Sequence, residues 1–275
     1  MVESHYESIP RMLKRYGIRP SKGLGQNFLV DPAALERVIS AGEIRMEDEV
    51  LEIGPGLGSL TRRLAEVSKR VVAVEIDKKF IPILNDGLAF FGNVELIFAD
   101  ILEVDVGDLF EEAGYVVVAN IPYYITSALL RHLLESPQLP ARMALTVQKE
   151  VAERICAGAG QYNLLALSVQ VYGHPKVVAK IPARAFYPAP NVDSAVVRVD
   201  IYKNPLIQRE KLDSFFQLTK AGFSQKRKTL RNSLAGGMGW GKEKAEEVLL
   251  KADIDPQHRA QTLTIEEWGC LVNCL

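Results

Sequence analysis

Val50-Leu51-Glu52-Ile53-Gly54-Pro55-Gly56-Leu57-Gly58 is a short apolar run with an acid inside it, followed at once by alternating glycines. The run reads as a buried strand, and a helix with Leu60, Leu64 and Val67 on one side is expected from Ser59 onward. A strand, a glycine-rich turn and a helix together bring backbone N–H groups close to a nucleotide-like ligand. The dinucleotide fingerprint needs its third glycine three positions after the second. Here the second is Gly56 and the residue at that offset is Ser59, so the pattern is Glu52-x-Gly54-x-Gly56-x-Gly58. That departure favours a ligand with no pyrophosphate to seat.

On either side of this turn the chain alternates between strand and helix patterns. Strands are expected at 71–75, 94–100, 115–119 and 143–147, with helices after Asp31-Pro32, around Phe80 to Leu84, over 127–134 and over 149–155. Strands separated by helices at this spacing imply a doubly wound, mostly parallel sheet of the Rossmann-like α/β class, covered on both faces. Residues 177–181 and 194–199 read as strands joined by a loop stiffened by Pro182, Pro188 and Pro190, so the sheet is expected to end on an antiparallel strand. After Lys203-Asn204-Pro205 the pattern is helical. The expected division is therefore a sheet domain over 1–203, whose N-terminal arm is loosely docked, and a small all-α domain over 204–275. Gly236-Gly237-Met238-Gly239 reads as a flexible connection between helices.

The ends of successive strands carry the chemistry. Glu75 closes the second strand about twenty residues after the glycine turn, where a carboxylate accepts both hydroxyls of a ribose. Asp100 closes the third and is placed to accept from an adenine amine. An adenosine held by two carboxylates beside a glycine turn describes S-adenosylmethionine. The fourth strand end is Asn120-Ile121-Pro122-Tyr123, which taken alone is ordinary turn chemistry. As the next end on the same edge it suits methyl transfer to an exocyclic adenine amine, whose lone pair is delocalised into the ring. Acceptors at the amine's N–H groups stabilise the charge that develops on nitrogen. The Asn120 side-chain oxygen and the Ile121 carbonyl are the candidates, with Tyr123 stacking on the base. Neither a metal nor a strong general base is required.

The net charge is −1, but Arg11, Lys14, Arg15, Arg19 and Lys22 cluster near the N-terminus and Lys220, Lys226, Arg227, Lys228 and Arg231 form a second basic group. Two basic patches on a near-neutral chain suit a polyanionic partner. Cys156, Cys270 and Cys274 match neither a disulfide framework nor a zinc pattern, and the four histidines are scattered, so no metal site is expected. With no membrane-length apolar run and no signal-peptide core, a cytoplasmic protein is expected.

Several stretches in order resemble one family: Gly25-Gln26-Asn27-Phe28-Leu29, Glu52-Ile53-Gly54-Pro55-Gly56, Asn120-Ile121-Pro122-Tyr123, Gln148-Lys149-Glu150-Val151, Val192-Asp193-Ser194-Ala195-Val196 and the run from Phe223 to Leu234. Together they are similar to the small-subunit (16S) rRNA adenine N6-dimethyltransferases, over nearly the whole chain. The resemblance implies that two adjacent adenosines near the 3′ end of 16S rRNA, within the small ribosomal subunit, each receive two methyl groups. It implies cofactor contacts from Asn27, Leu29, Gly54, Gly56, Glu75, Asp100 and Asn120. It further implies that Phe186 lies on the far face of the target base, and that Lys226, Arg227, Lys228 and Arg231, on a predicted helix, meet RNA phosphates. A monomer with a role in subunit biogenesis is expected. Ile121 departs from the broader adenine-methyltransferase pattern, where proline is common, but only its carbonyl is asked to act. Two other readings stay open: a large-subunit rRNA adenine methyltransferase of the macrolide-resistance type, and a non-catalytic RNA-binding assembly or transcription factor on the same fold.

Overall fold

The structure is a computed structural model, and it describes residues 9–21, 23–122 and 125–275. The strands are β1 (Phe28–Leu29), β2 (Glu49–Ile53), β3 (Arg70–Glu75), β4 (Val94–Phe98), β5 (Val116–Asn120), β6 (Arg142–Gln148), β7 (Gly173–Ile181), β8 (Phe186–Tyr187) and β9 (Ser194–Ile201). The helices are α1 (Ile9–Arg15), α2 (Pro32–Gly42), α3 (Ser59–Val67), α4 (Ile81–Leu88), α5 (Thr126–Glu135), α6 (Lys149–Ile155), α7 (Leu164–Gln170), α8 (Leu212–Gly222), α9 (Leu230–Gly237), α10 (Lys242–Lys251) and α11 (Ile265–Asn273).

Seven strands form one sheet in the order β4-β3-β2-β5-β6-β9-β7. β4, β3, β2, β5 and β6 pair in parallel, and β9 runs antiparallel to β6. The parallel strands are nearly continuous apolar runs because helices cover both of their faces. The cross-strand row Glu52, Val118, Ala144 and Arg198, read through successive registers, lies on the face packed by α2. That face buries Ala34, Val38 and Ala41 of α2, Leu60 and Leu64 of α3, and Val50, Val116 and Val118 of the sheet. Asp31 caps α2 by accepting from the Ala34 N–H at 2.8 Å, and Pro32 occupies the first turn, where its missing N–H costs nothing.

By internal contacts the chain divides into two compact units, residues 1–152 with 176–200 and residues 153–175 with 201–275. The second unit thus begins earlier than the sequence reading placed it, because α7 packs on α8. Its core is centred on Trp268, Phe215, Leu230 and Leu234, all fully buried. Three local expectations are corrected. The N-terminal arm carries a helix, α1, whose Leu13 is buried with Phe28, Phe80 and Leu84. Gly236 and Gly237 belong to α9 rather than to a connection, and a Cβ on Gly237 would lie 2.6 Å from Ala221, so glycine permits that helix contact. Lys226, Arg227 and Lys228 lie in the turn before α9, where the Lys228 N–H donates to the Gln225 carbonyl; only Arg231 is on the helix.

Candidate active site

At the C-terminal ends of the parallel strands a cavity of about 240 Å³ opens in the first unit. Gly54, Gly56, Glu75, Asp100 and Asn120 line it, together with Asn27 from the segment before β1. The turn after β2 is built on left-handed backbone, with φ of 72° at Gly54, 55° at Gly56 and 74° at Gly58. A side chain would be strained at each position. At Gly56 it would also meet the Phe28 ring, 3.1 Å from the nearest atom a Cβ would face.

Glu75 holds this turn in place. Its Oε2 accepts from the Gly56 N–H and its Oε1 from the Asp77 N–H, both at 2.9 Å. The side chain is buried, and burial pushes its carboxyl above the ordinary range while the two backbone amides pull it back. Each carboxylate oxygen has a second acceptor direction, so the fixed carboxylate keeps capacity for a vicinal diol. Asp100 spends one oxygen on the Leu102 N–H at 3.0 Å, capping a short 3-10 turn, and still lines the cavity. Its capping and ligand-facing readings are compatible because a carboxylate has two oxygens.

Asn120 ends β5, and its Nδ2 donates to the Asn27 carbonyl at 2.9 Å. The two ends of a primary amide differ only in hydrogen-bonding polarity, so a partner for the NH2 end decides what the oxygen end does. Here the Asn27 carbonyl takes a donor and leaves Oδ1 as the acceptor. The Ile121 N–H donates to the Thr146 carbonyl at 3.1 Å, and the Ile121 side chain is buried. Pro122 lines the cavity and its carbonyl accepts from the Ile125 N–H at 3.1 Å, just before α5 begins at Thr126. Tyr123, assigned to stack on the base, and Tyr124 lie outside the described residues, as does Lys22 of the first basic patch.

Other predicted positions lie elsewhere. Leu29 and Phe186 pair across the short β1–β8 ladder, are 6% and 4% exposed, and pack in the core beneath α2. Both line a separate groove with Arg62 and Arg184 rather than the cavity. In the second unit Lys226, Arg227 and Lys228 are exposed, and Lys226 and Lys228 border a depression of about 160 Å³ with Arg259 and Tyr162. Arg231 instead pairs with Glu246 at 2.8 Å, so its charge is spent within the helical unit.

Two further residues stand at the site without a motif role of their own. Gln26 lines the cavity and bonds across to Asp77; the Gly25-Gln26-Asn27 stretch signalled it only as part of a loop. Glu52 is 1% exposed, burial pushes its carboxyl up to about 8, and its Oε2 has no hydrogen-bond partner among the described residues. It borders a small cavity of about 40 Å³ shared with Asn120 and Thr146. Among the described residues no group of three or more His, Cys, Asp or Glu side chains is placed to hold a metal ion, and no helix is long and apolar enough to cross a membrane.

Comparison with known proteins matches the ribosomal RNA adenine dimethylase family model over residues 19–272. The chain is 44% identical to ribosomal RNA small subunit methyltransferase A of Bacillus pumilus over 275 aligned positions, covering 96% of this chain and 94% of that protein. It is 43% identical to the protein of the same description from Dehalococcoides mccartyi, covering 95% of this chain and 91% of the relative. Among solved structures, a dimethyladenosine transferase from Plasmodium falciparum superposes with a TM-score of 0.77 at 27% identity, over 89% of this chain and 95% of that one. The 23S rRNA methyltransferase ErmE superposes with a TM-score of 0.71 at 28% identity, over 90% and 99%. A family match over nearly the full length, on a sheet whose strand ends gather the motif residues around one cavity, places the chain in the ribosomal RNA adenine dimethylase family.

Proposed function

We propose that this protein is an S-adenosylmethionine-dependent rRNA adenine N6-dimethyltransferase that modifies two adjacent adenosines near the 3′ end of 16S rRNA in the small ribosomal subunit. The observation that carries this reading is the meeting of Glu75 and Asn120 on one cavity, each fixed by backbone partners and each with an acceptor left over. S-adenosylmethionine, when bound, supplies an electrophilic methyl group on its sulfonium. Glu75 accepts from the ribose hydroxyls, Asp100 from the adenine amine, and Gly54 and Gly56 let the backbone approach the rest. Asn27 lines the site next to Asn120, and Leu29 supports that segment from the core.

The target adenine's exocyclic amine donates to Asn120 Oδ1 and the Ile121 carbonyl, which favours a pyramidal nitrogen and stabilises its growing positive charge. Pro122 stiffens the turn that presents this carbonyl, and the base stacks on Tyr123. To reach this edge the nucleotide must leave its stack, which single-stranded loops and helix ends in RNA permit. Phe186 serves the target side from its place in the groove beside Arg184. In the second unit, Lys226, Arg227 and Lys228 contact RNA phosphate, while Arg231 organises the helices behind them. The protein acts as a cytoplasmic monomer on the assembling subunit.

Methylation of isolated small subunits, followed by mass analysis of the 3′ fragment of 16S rRNA, tests the reading. Two adjacent dimethyladenosines are expected. Glu75→Ala is expected to abolish cofactor binding and with it all modification. The resemblance to ErmE supports one competing substrate, large-subunit rRNA. Labelling confined to large-subunit RNA would replace the proposed substrate with that one.

A further inference from the structure

The amide of Asn120 is oriented by a carbonyl that belongs to a loop, not to the sheet. Asn27 precedes β1, and its side-chain amide donates only two residues back, to the Gly25 carbonyl at 3.1 Å. What fixes this loop is its neighbour Gln26. The Gln26 Nε2 donates to Asp77 Oδ2 at 2.9 Å, and its Oε1 accepts from the Ser21 N–H at 2.7 Å. The Gln26 backbone N–H donates to the Ser21 carbonyl at 3.2 Å. Asp77 in turn gives its own N–H to Glu75, and its Oδ1 accepts from the Lys79 N–H at 3.1 Å.

A continuous path therefore runs from Glu75 through Asp77 and Gln26 to Asn27 and Asn120. We propose that Gln26 is a positioning residue for methyl transfer: by tying the Asn27 segment to Asp77, it makes the orientation of the Asn120 amide depend on the same scaffold that holds Glu75. This rests on the roles given above to Glu75 and Asn120. Gln26 lines the cavity, but both polar ends of its side chain are engaged within the protein, so it acts by fastening the loop. Without that fastening the Asn27 carbonyl shifts, and the Asn120 amide loses the partner that keeps its donor end turned away from the amine. An amide presenting NH2 to an amine nucleophile repels it.

The geometry allows a reversal test. Gln26→Glu alone sets two carboxylates against each other. Combined with Asp77→Asn, it restores both bonds with donor and acceptor exchanged: the new amide at 77 donates, and the new carboxylate at 26 accepts from it and from the Ser21 N–H. With purified small subunits at saturation, Gln26→Ala and Gln26→Glu are expected to lower kcat by about tenfold or more, since small displacements of an aligning group carry rate effects of this size or larger. Affinity for S-adenosylhomocysteine, measured by calorimetry, is expected to fall by a smaller factor than kcat, and the double variant to recover most of the lost kcat. Unchanged kcat with weakened affinity would show a cofactor contact instead, and a folded double variant with no recovery would equally overturn the assignment.

One readout is independent of activity. The side-chain amide protons of Asn120 are expected to lose exchange protection in Gln26→Ala and regain it in the double variant. If wild-type protein bound no cofactor and methylated no subunit, the functional reading would fall. This amide signal would still decide for or against the fastening role.

Discussion

Glu52 and Arg198 lie in one cross-strand row of the sheet, on the same face, with Val118 and Ala144 between them. Yet the acid and the cation do not serve each other. At one end of the row Arg198 reaches Glu43 and, at 2.8 Å, Asp200, while Arg142 donates to Asp200 at 2.9 Å. At the other end, neither Glu52 nor Glu75 pairs with any described cation. Strands are spaced about 4.8 Å apart, so three steps put Arg198 out of reach of Glu52. The consequence is opposite proton affinities on one surface. The Arg198 hydrogen bond holds the Glu43 carboxyl below its ordinary value. Burial works against Asp200 as a charge, but the guanidinium groups of Arg142 and Arg198 outweigh it and lower its carboxyl too. Glu52 and Glu75 are raised, each by burial. The paired cluster stabilises the fold, whereas Glu75 keeps acceptor capacity on the ligand cavity and Glu52 stays without a cation beside the small cavity next to it. Such local cost is characteristic of functional sites.

The sharpest way to break this contrast is Glu52→Gln. A folded-state value near 8 against 4.5 for an ordinary carboxyl means the native protein holds a proton that the unfolded chain releases. Stability from this group is therefore fully present below about pH 4.5 and lost as the pH rises toward 8. A glutamine has no proton to lose, so the stability of Glu52→Gln relative to wild type is expected to increase from pH 5 to pH 8.5. The full change is of order 4 kcal/mol. Denaturant midpoints across that range measure it, and parallel curves for the two proteins would mean Glu52 ionises freely. Asn120→Ala comes next. Losing one aligned group that stabilises transition-state charge typically costs about 100- to 1000-fold in kcat, roughly 3 to 4 kcal/mol. Single-turnover methylation of small subunits at saturating cofactor is expected to show a loss of that size. Unchanged turnover would rule out the acceptor mechanism.

What the sequence made legible follows the same division. β-branched runs ended by Gly54, Glu75 and Asn120 showed both the sheet and its ligand-binding edge, because a parallel sheet writes its strands as continuous apolar segments. The cap at Asp31-Pro32 and the antiparallel β9 were readable for similar local reasons. Gln26 was not, since its role depends on Asp77, a long-range partner that no periodicity reveals. Leu29 and Phe186 carried motif signals but sit in the core, because the two-residue pairing of β1 with β8 turns both inward. Arg231 looked like its basic neighbours in the sequence but lies on α9 and pairs with Glu246 on the next helix. The pairing of Glu43 with Arg198 was likewise hidden, joining residues 155 positions apart.

That hidden cluster supplies the counter-test. Arg198→Ala removes the shared cation from two carboxylates, and the buried guanidinium stem leaves its packing at the same time. Because Glu43 and Asp200 keep solvent access, the loss is expected to fall well short of that for a fully buried pair, and is seen as an earlier denaturant midpoint. S-adenosylhomocysteine affinity is expected to stay within about twofold, as additivity holds for sites that share no partners. A matching loss of affinity would show that the two ends of the row are coupled after all. Glu43→Gln should have the smallest effect, since Glu43 is the most exposed member and Asp200 still engages Arg198. Its pH signature is nonetheless the mirror image of Glu52→Gln. A depressed carboxyl contributes stability above the unfolded value of 4.5 and loses it as the pH falls through the lower folded value. The wild-type advantage over Glu43→Gln should therefore be constant at neutral pH and shrink only below about pH 4.5, where Glu52→Gln and wild type converge as well. Opposite pH trends from Glu→Gln changes at Glu43, which ends α2, and at Glu52, inside β2, would demonstrate that pairing sets what each acid does. Trends of the same sign would mean that Glu43 is not held by Arg198 in solution.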